Sequence, residues 1–182
     1  MEVTESAIRV LLVVVLGTAA LAKRPRRRFR QFVDSLVGLR LGRHLPTVLA
    51  TWVLASEVGI SVALLVQPTV STYAVACLFF CALGTGLAVA LVLRRPLRCN
   101  CFGPAGGEVR WSHVVRDGVL AVLSAVALWF AARNSEPGSF SPASMTAGLV
   151  ASIAIMRWDD LAYLLTPRSA SAARDAFSER VV

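Results

Sequence analysis

Apolar residues in this chain gather into blocks the length of membrane crossings, separated by short polar or basic stretches. The first block, AIRVLLVVVLGTAALA over residues 7–22, makes about one crossing once its flanks tilt or snorkel. The second, LPTVLATWVLASEVGISVALLV over 45–66, carries Pro46 where a first helical turn tolerates it. QPTVST (67–72) reads as a tight turn into the third block, YAVACLFFCALGTGLAVALVL over 73–93, which stops at Arg94-Arg95-Pro96. A loop over 94–112 leads to the fourth block, HVVRDGVLAVLSAVALWFAA over 113–132, and RNSEPGSFSP (133–142) is rich in turn residues. The fifth run, ASMTAGLVASIAIM over 143–156, is only 14 residues long before RWDD interrupts it. That length suits a tilted span slightly better than an interfacial helix.

The pattern predicts an all-α fold: a polytopic transmembrane helical bundle of four core spans plus a fifth C-terminal helix. Residues 1–132 form the four-span domain, 133–166 a loop with the fifth helix, and 167–182 a mobile, solvated tail. Between the first two blocks lie Lys23, Arg24, Arg26, Arg27, Arg28, Arg30, Arg40 and Arg43 against a single acid, Asp34; the FVDSLVGL segment among them suits a short helix on the headgroup surface.

Composition sharpens this reading. The chain is 56% hydrophobic and 16% charged, with mean hydropathy +0.65, too apolar for a soluble domain of 182 residues. Net charge is +8, but most of the arginines sit beside apolar blocks and no nucleic-acid motif accompanies them. The predicted partner of that charge is membrane lipid, not nucleic acid. Glu2 and Glu5 precede the first block and KRPRRRFR follows it, the reverse of a signal peptide's polarity, so the block is read as a retained span. The first and third loops together hold twelve Lys and Arg, and the positive-inside rule turns both toward the cytoplasm of a multi-pass cell-membrane protein.

The third loop carries the most pointed chemistry. RCNCFGPAGG (98–107) sets Cys99 and Cys101 two residues apart. Their Cα atoms can be about 5.5–7 Å apart, the upper edge of disulfide geometry, so a bridge there would be strained and easily reduced. Asn100 and Gly103 favour the bend, and Arg94, Arg95 and Arg98 would stabilise a thiolate. On spacing alone three readings stay open: thiol–disulfide exchange, thiolate metal binding and an inert loop. Only His113 and His44 could join a metal site on that face, and neither has a second ligand at recognisable spacing.

Two further features lie within the spans. Cys77 and Cys81, four apart, share a face of the third helix and form either ordinary packing or a second thiol pair relaying electrons. Cys81 stands 18 residues before Cys99, about 27 Å along an unbroken helix, which separates the two pairs. Glu57 sits in mid-span, where a carboxylate is costly and faces the bundle interior, protonated or paired with a cation such as Arg116. Lys23, at the end of the first span, is placed to snorkel, and Gly84 and Gly86 to allow close helix approach.

Together ALAK (20–23), SEVG (56–59), CNCFG (99–103) and WSHVVRDGVL (111–120) resemble the MauE family of methylamine-utilisation membrane proteins, grouped with DoxX-like redox-associated proteins. The similarity covers roughly residues 7–132. It implies a helical membrane bundle supporting maturation of disulfide-containing proteins, with Cys99 and Cys101 as the redox pair and Glu57, Lys23 and Arg116 as supporting polar residues. It also implies a thioredoxin-like partner and, in the methylamine system, the methylamine dehydrogenase small subunit as client. The arrangement is more loosely similar to vitamin K epoxide reductase and DsbB-like bundles, which pass electrons to quinone. Those use Cys-x-x-Cys, one residue longer, so quinone remains a possible cofactor with no site carried over. A non-catalytic assembly factor and a metal-handling protein are the alternative functions.

Overall fold

The computed structural model describes residues 2–37, 44–93, 98–99, 107–108, 110–133 and 141–157. They form six helices: α1 (Glu2–Lys23), α2 (Arg26–Val37), α3 (Leu45–Val66), α4 (Val70–Val92), α5 (Trp111–Arg133) and α6 (Pro142–Met156). Between α4 and α5, β1 (Arg98–Cys99) and β2 (Gly107–Glu108) pair antiparallel, Arg98 with Glu108 and Cys99 with Gly107. The architecture is the expected all-helical membrane bundle. Four helices, α1, α3, α4 and α5, are long and apolar enough to cross a bilayer. A helix satisfies its own backbone hydrogen bonds, which hydrocarbon cannot do for it. The tail over 167–182 and most of the 133–142 loop lie outside the described residues.

Local chemistry sets the helix ends. Thr69 caps α4, its Oγ1 accepting from the Thr72 backbone N–H at 3.3 Å. Ser141 caps α6 reciprocally: its Oγ accepts from Ser144 N–H (3.1 Å), and Ser144 Oγ accepts from Ser141 N–H (3.0 Å). The first helix begins earlier than its apolar block, because Glu5, Ser6 and Arg9 are buried partners within the bundle. The second runs from Arg26, so it includes arginines that the FVDSLVGL pattern left out. Its faces are sharply divided, with Phe29, Phe32, Val33 and Leu36 turned inward at helical spacing while Arg26, Arg27, Arg30, Gln31 and Asp34 are exposed.

The bundle is organised around α1, which touches α2, α3, α5 and α6, while α4 lies along α5. Its span window is 56% buried, against 22–33% for the other three spans, with Leu12, Val15 and Leu16 at the centre of the core. The outward faces display Trp52, Leu78, Val92, Val122 and Val150, an apolar surface that suits lipid. Small residues let the helices approach: Ser61 Oγ donates to the Val13 carbonyl at 3.3 Å, and a Cβ on Gly17 would lie 3.7 Å from that same Oγ. Gly84 meets Asp117 of α5 as expected for a contact glycine, with 3.6 Å between a Cβ placed there and the Asp117 Cβ. Gly86 does not, since a Cβ there would meet nothing within 4 Å.

The fifth apolar run forms α6, which lies along α1. Gly148 sits against Ala7 and Val10, and Thr18 Oγ1 approaches Met156 Sδ at 3.8 Å, so the two helices run parallel. At 15 residues α6 is about 22 Å long, shorter than the four spans yet running beside a good part of one.

The Gly148 contact gives a direct check. A Cβ there would fall 2.6 Å from the Ala7 carbonyl oxygen and 2.7 Å from the Val10 Cβ. Gly148→Ala is expected to destabilise the bundle by about 1–3 kcal/mol, the usual cost of overpacking. Gly86→Ala should leave the melting temperature in detergent at or above that of the unaltered protein. Equal melting of the Gly148→Ala and unaltered proteins would refute this packing of α6 on α1.

Candidate functional site

A buried ion pair ties the end of α1 to the middle of α3, in the half of the bundle from which the cysteine loop leaves. Lys23, the last residue of α1, donates from Nζ to Glu57 Oε1 on α3. Lys23 is 1% exposed and Glu57 3%, so neither head group reaches solvent. The lysine therefore does not snorkel, and it, not Arg116, is the cation that the structure sets against Glu57. The reason is geometric: α1 and α3 pack antiparallel, and a side chain on a helix leans toward the helix N-terminus, which carries the Lys23 stem back into the bundle. The Phe32 ring of α2 covers the ammonium, its centroid 5.2 Å from Nζ, a cation–π distance. Glu57 Oε2 is buried with no hydrogen-bond partner among the described residues.

Arg116 and Asp117, in the second turn of α5, bring further buried charge. The guanidinium donates to its own neighbour, Nε to Asp117 Oδ1 at 3.3 Å and Nη2 to the same oxygen at 3.2 Å. Asp117 also acts electrostatically on Glu57, so these charges belong to one polar interior. Sequence reading singled out Arg116 but missed Asp117, although "VVRDG" shows the acid beside it.

Among the cysteines, the backbone of Cys99 lies in β1, which packs against α2. The Cys99 side chain and the whole of Cys101 lie outside the described residues, as do Arg94, Arg95, Asn100 and Gly103. Cys77 Sγ donates to the Ala121 carbonyl at 3.5 Å, and Cys81, four residues on, is exposed on the outer face of α4. His113 serves at the start of α5, its Nδ1 accepting from the Arg110 backbone N–H at 3.1 Å.

The opposite end of the bundle holds a polar cluster that sequence reading did not find. Arg9 of α1 donates from Nε to the Leu64 carbonyl at 2.7 Å and from Nη2 to the Leu65 carbonyl at 2.8 Å. These are among the last carbonyls of α3, which a helix end leaves without partners of its own. Tyr73 of α4, fully buried, donates from its hydroxyl to Glu5 Oε1 at 3.3 Å. The four-residue spacing of Glu5 and Arg9 was the available signal, since it places both on one helix face.

Residues 1–130 match the family model described as methylamine utilisation protein MauE. The chain belongs to the MauE family. No curated protein and no solved structure matches it. The MauE match takes in both polar clusters and the cysteine loop and ends within α5, so α6 lies beyond it.

The ion pair makes an energetic prediction. Lys23→Met or Glu57→Leu alone leaves an unpaired charge in an apolar interior and should cost about 3–5 kcal/mol. The double variant should recover much of that loss, which denaturant unfolding of the four proteins in detergent would read as a coupling energy. Additive losses would show that the two groups do not depend on one another.

Proposed function

We propose that this MauE-family membrane protein is a thiol–disulfide redox protein supporting the maturation of disulfide-containing proteins, with Cys99 and Cys101 as the exchanging pair. The observation that carries the reading is the β1–β2 ladder. It closes the chain on either side of residues 100–106 and rests β1 on α2, the helix that bears Arg26, Arg27, Arg28 and Arg30. A positive surrounding favours the thiolate, the form that attacks a disulfide.

The exchange itself is symmetrical. A thiolate of the pair attacks one sulfur of a partner's disulfide, a mixed disulfide forms, and the partner's other sulfur leaves as a thiolate. The second cysteine then attacks the mixed disulfide and releases the partner as a dithiol. Cys99 and Cys101 finish joined, having given up two electrons, and the reverse sequence oxidises a client. A thioredoxin-like protein is the partner this chemistry fits. Glu57, Lys23 and Arg116 support the pair from within the bundle, and Glu57 Oε2 is the atom suited to hold the proton that the second cysteine loses on its way to the leaving thiolate. Charge bias turns the cysteine loop toward the cytoplasm. The four-span domain over 1–132 is the redox unit in this reading, with 133–166 an appended loop and helix.

Thiol labelling in intact cells tests the proposal. Labelling of Cys99 and Cys101 should rise after mild reductant with a membrane-permeant maleimide and stay low with an impermeant one. Reductant-dependent labelling from outside would reverse the orientation while keeping the redox role. One single variant, Cys99→Ser or Cys101→Ser, should trap a mixed disulfide that survives nonreducing electrophoresis. A Cys99→Ser/Cys101→Ser variant that still supports maturation would point to a scaffold. Copper or zinc that copurifies with the protein and is lost in that variant would point to metal handling.

A further inference from the structure

The redox reading draws on the exposed arginines of α2 only as positive surroundings, and the structure gives that face a shape as well as a charge. Arg26, Arg27, Arg30, Gln31 and Asp34 line an open surface cleft of about 430 Å³. Their spacing runs 26, 27, 30, 31, 34, one stripe of the helix, while buried Phe32 anchors the opposite face to the bundle. Three guanidinium groups meet one carboxylate there, and among the described residues none of the three arginines has an ion-pair partner.

We infer that this cleft binds the phosphate of an anionic lipid whose headgroup carries hydroxyls, such as a phosphatidylglycerol. Location commits the ligand to lipid. The helix starts three residues after the end of the first span and packs against the second, so its polar face lies at the level of the headgroups. Guanidinium groups match phosphate oxygens with paired, charge-assisted hydrogen bonds. Gln31 and Asp34, one turn further along, supply acceptors and a donor for headgroup hydroxyls. A headgroup bearing an ammonium is disfavoured, because the cleft already carries a surplus of positive charge. The inference stands whether or not Cys99 and Cys101 exchange disulfides.

Two variants of equal charge separate a built cleft from a diffuse basic surface. Arg26→Gln/Arg30→Gln removes two lining residues, while Arg24→Gln/Arg28→Gln removes two exposed arginines that do not line it. Purified in detergent, each protein would be titrated with phosphatidylglycerol, phosphatidylcholine and inorganic phosphate, and bound species counted by native mass spectrometry. Far-UV circular dichroism checks that all three proteins keep the same helix content. Phosphatidylglycerol should bind the unaltered protein and the Arg24/Arg28 variant alike, and the Arg26/Arg30 variant about 25-fold more weakly, about fivefold for each arginine. Phosphatidylcholine and inorganic phosphate should bind all three weakly. Equal losses in the two variants would replace the cleft with diffuse charge, and equal binding of the two lipids would remove its selectivity. Inorganic phosphate binding as tightly as phosphatidylglycerol would make the ligand a free anion; any of these results overturns the inference.

Discussion

The contact between the Lys23 ammonium and the Glu57 carboxylate is the constraint to which the other helices conform. Two opposite charges inside an apolar bundle are tolerable only when they meet, because either one alone carries a desolvation penalty of several kcal/mol. Meeting requires that the end of α1 lie beside the middle of α3. Two further ties hold the same register: Ser61 on the Val13 carbonyl, and Arg9 on the carbonyls that end α3. A slip of α1 along α3 by one turn, about 5.4 Å, would break all three at once. Hydrophobic packing alone sets no such register, since one apolar face slides on another at little cost in lipid.

The two ends of the bundle use buried charge differently. At the end near Arg9, the guanidinium completes the terminus of α3 and the Glu5 carboxylate takes the Tyr73 hydroxyl, so polar groups there serve to close helix ends. At the Lys23 end one carboxylate oxygen has no hydrogen-bond partner among the described residues, and a second acid, Asp117, stands in the same interior. Chemistry that moves protons is more naturally sited at the second end. That is also where α2 and β1 lie together.

Much of the fold was legible because bilayer thickness imposes a length on apolar runs. The block over 45–66 coincides with α3, and the others differ from their helices by only a few residues at each end, apart from α1. That helix starts five residues before its block, since Glu5 looks like a solvated flank until Tyr73 is brought to it from α4. Glu57 was recognisable as an interior carboxylate from its depth, but its partner was not. Lys23 stands at a span boundary, where sequence alone favours a head group reaching water, and only the helix packing sends it inward. The β1–β2 ladder was also beyond reach, because two residues on each strand carry no periodicity to detect.

The place of α6 bears on how the molecule is made. The central helix α1 is made before the helix that closes one of its faces, and Thr18 and Met156, which meet in that contact, stand 138 positions apart. During synthesis that face of α1, with Ala7 and Val10 beside the future seat of Gly148, is open to lipid or to a chaperone of the insertion machinery. Docking of α6 on α1 thus follows the synthesis of all four spans. A ribosome stalled before residue 142 would hold a chain with every family-matched residue made and its central helix still uncovered on one side.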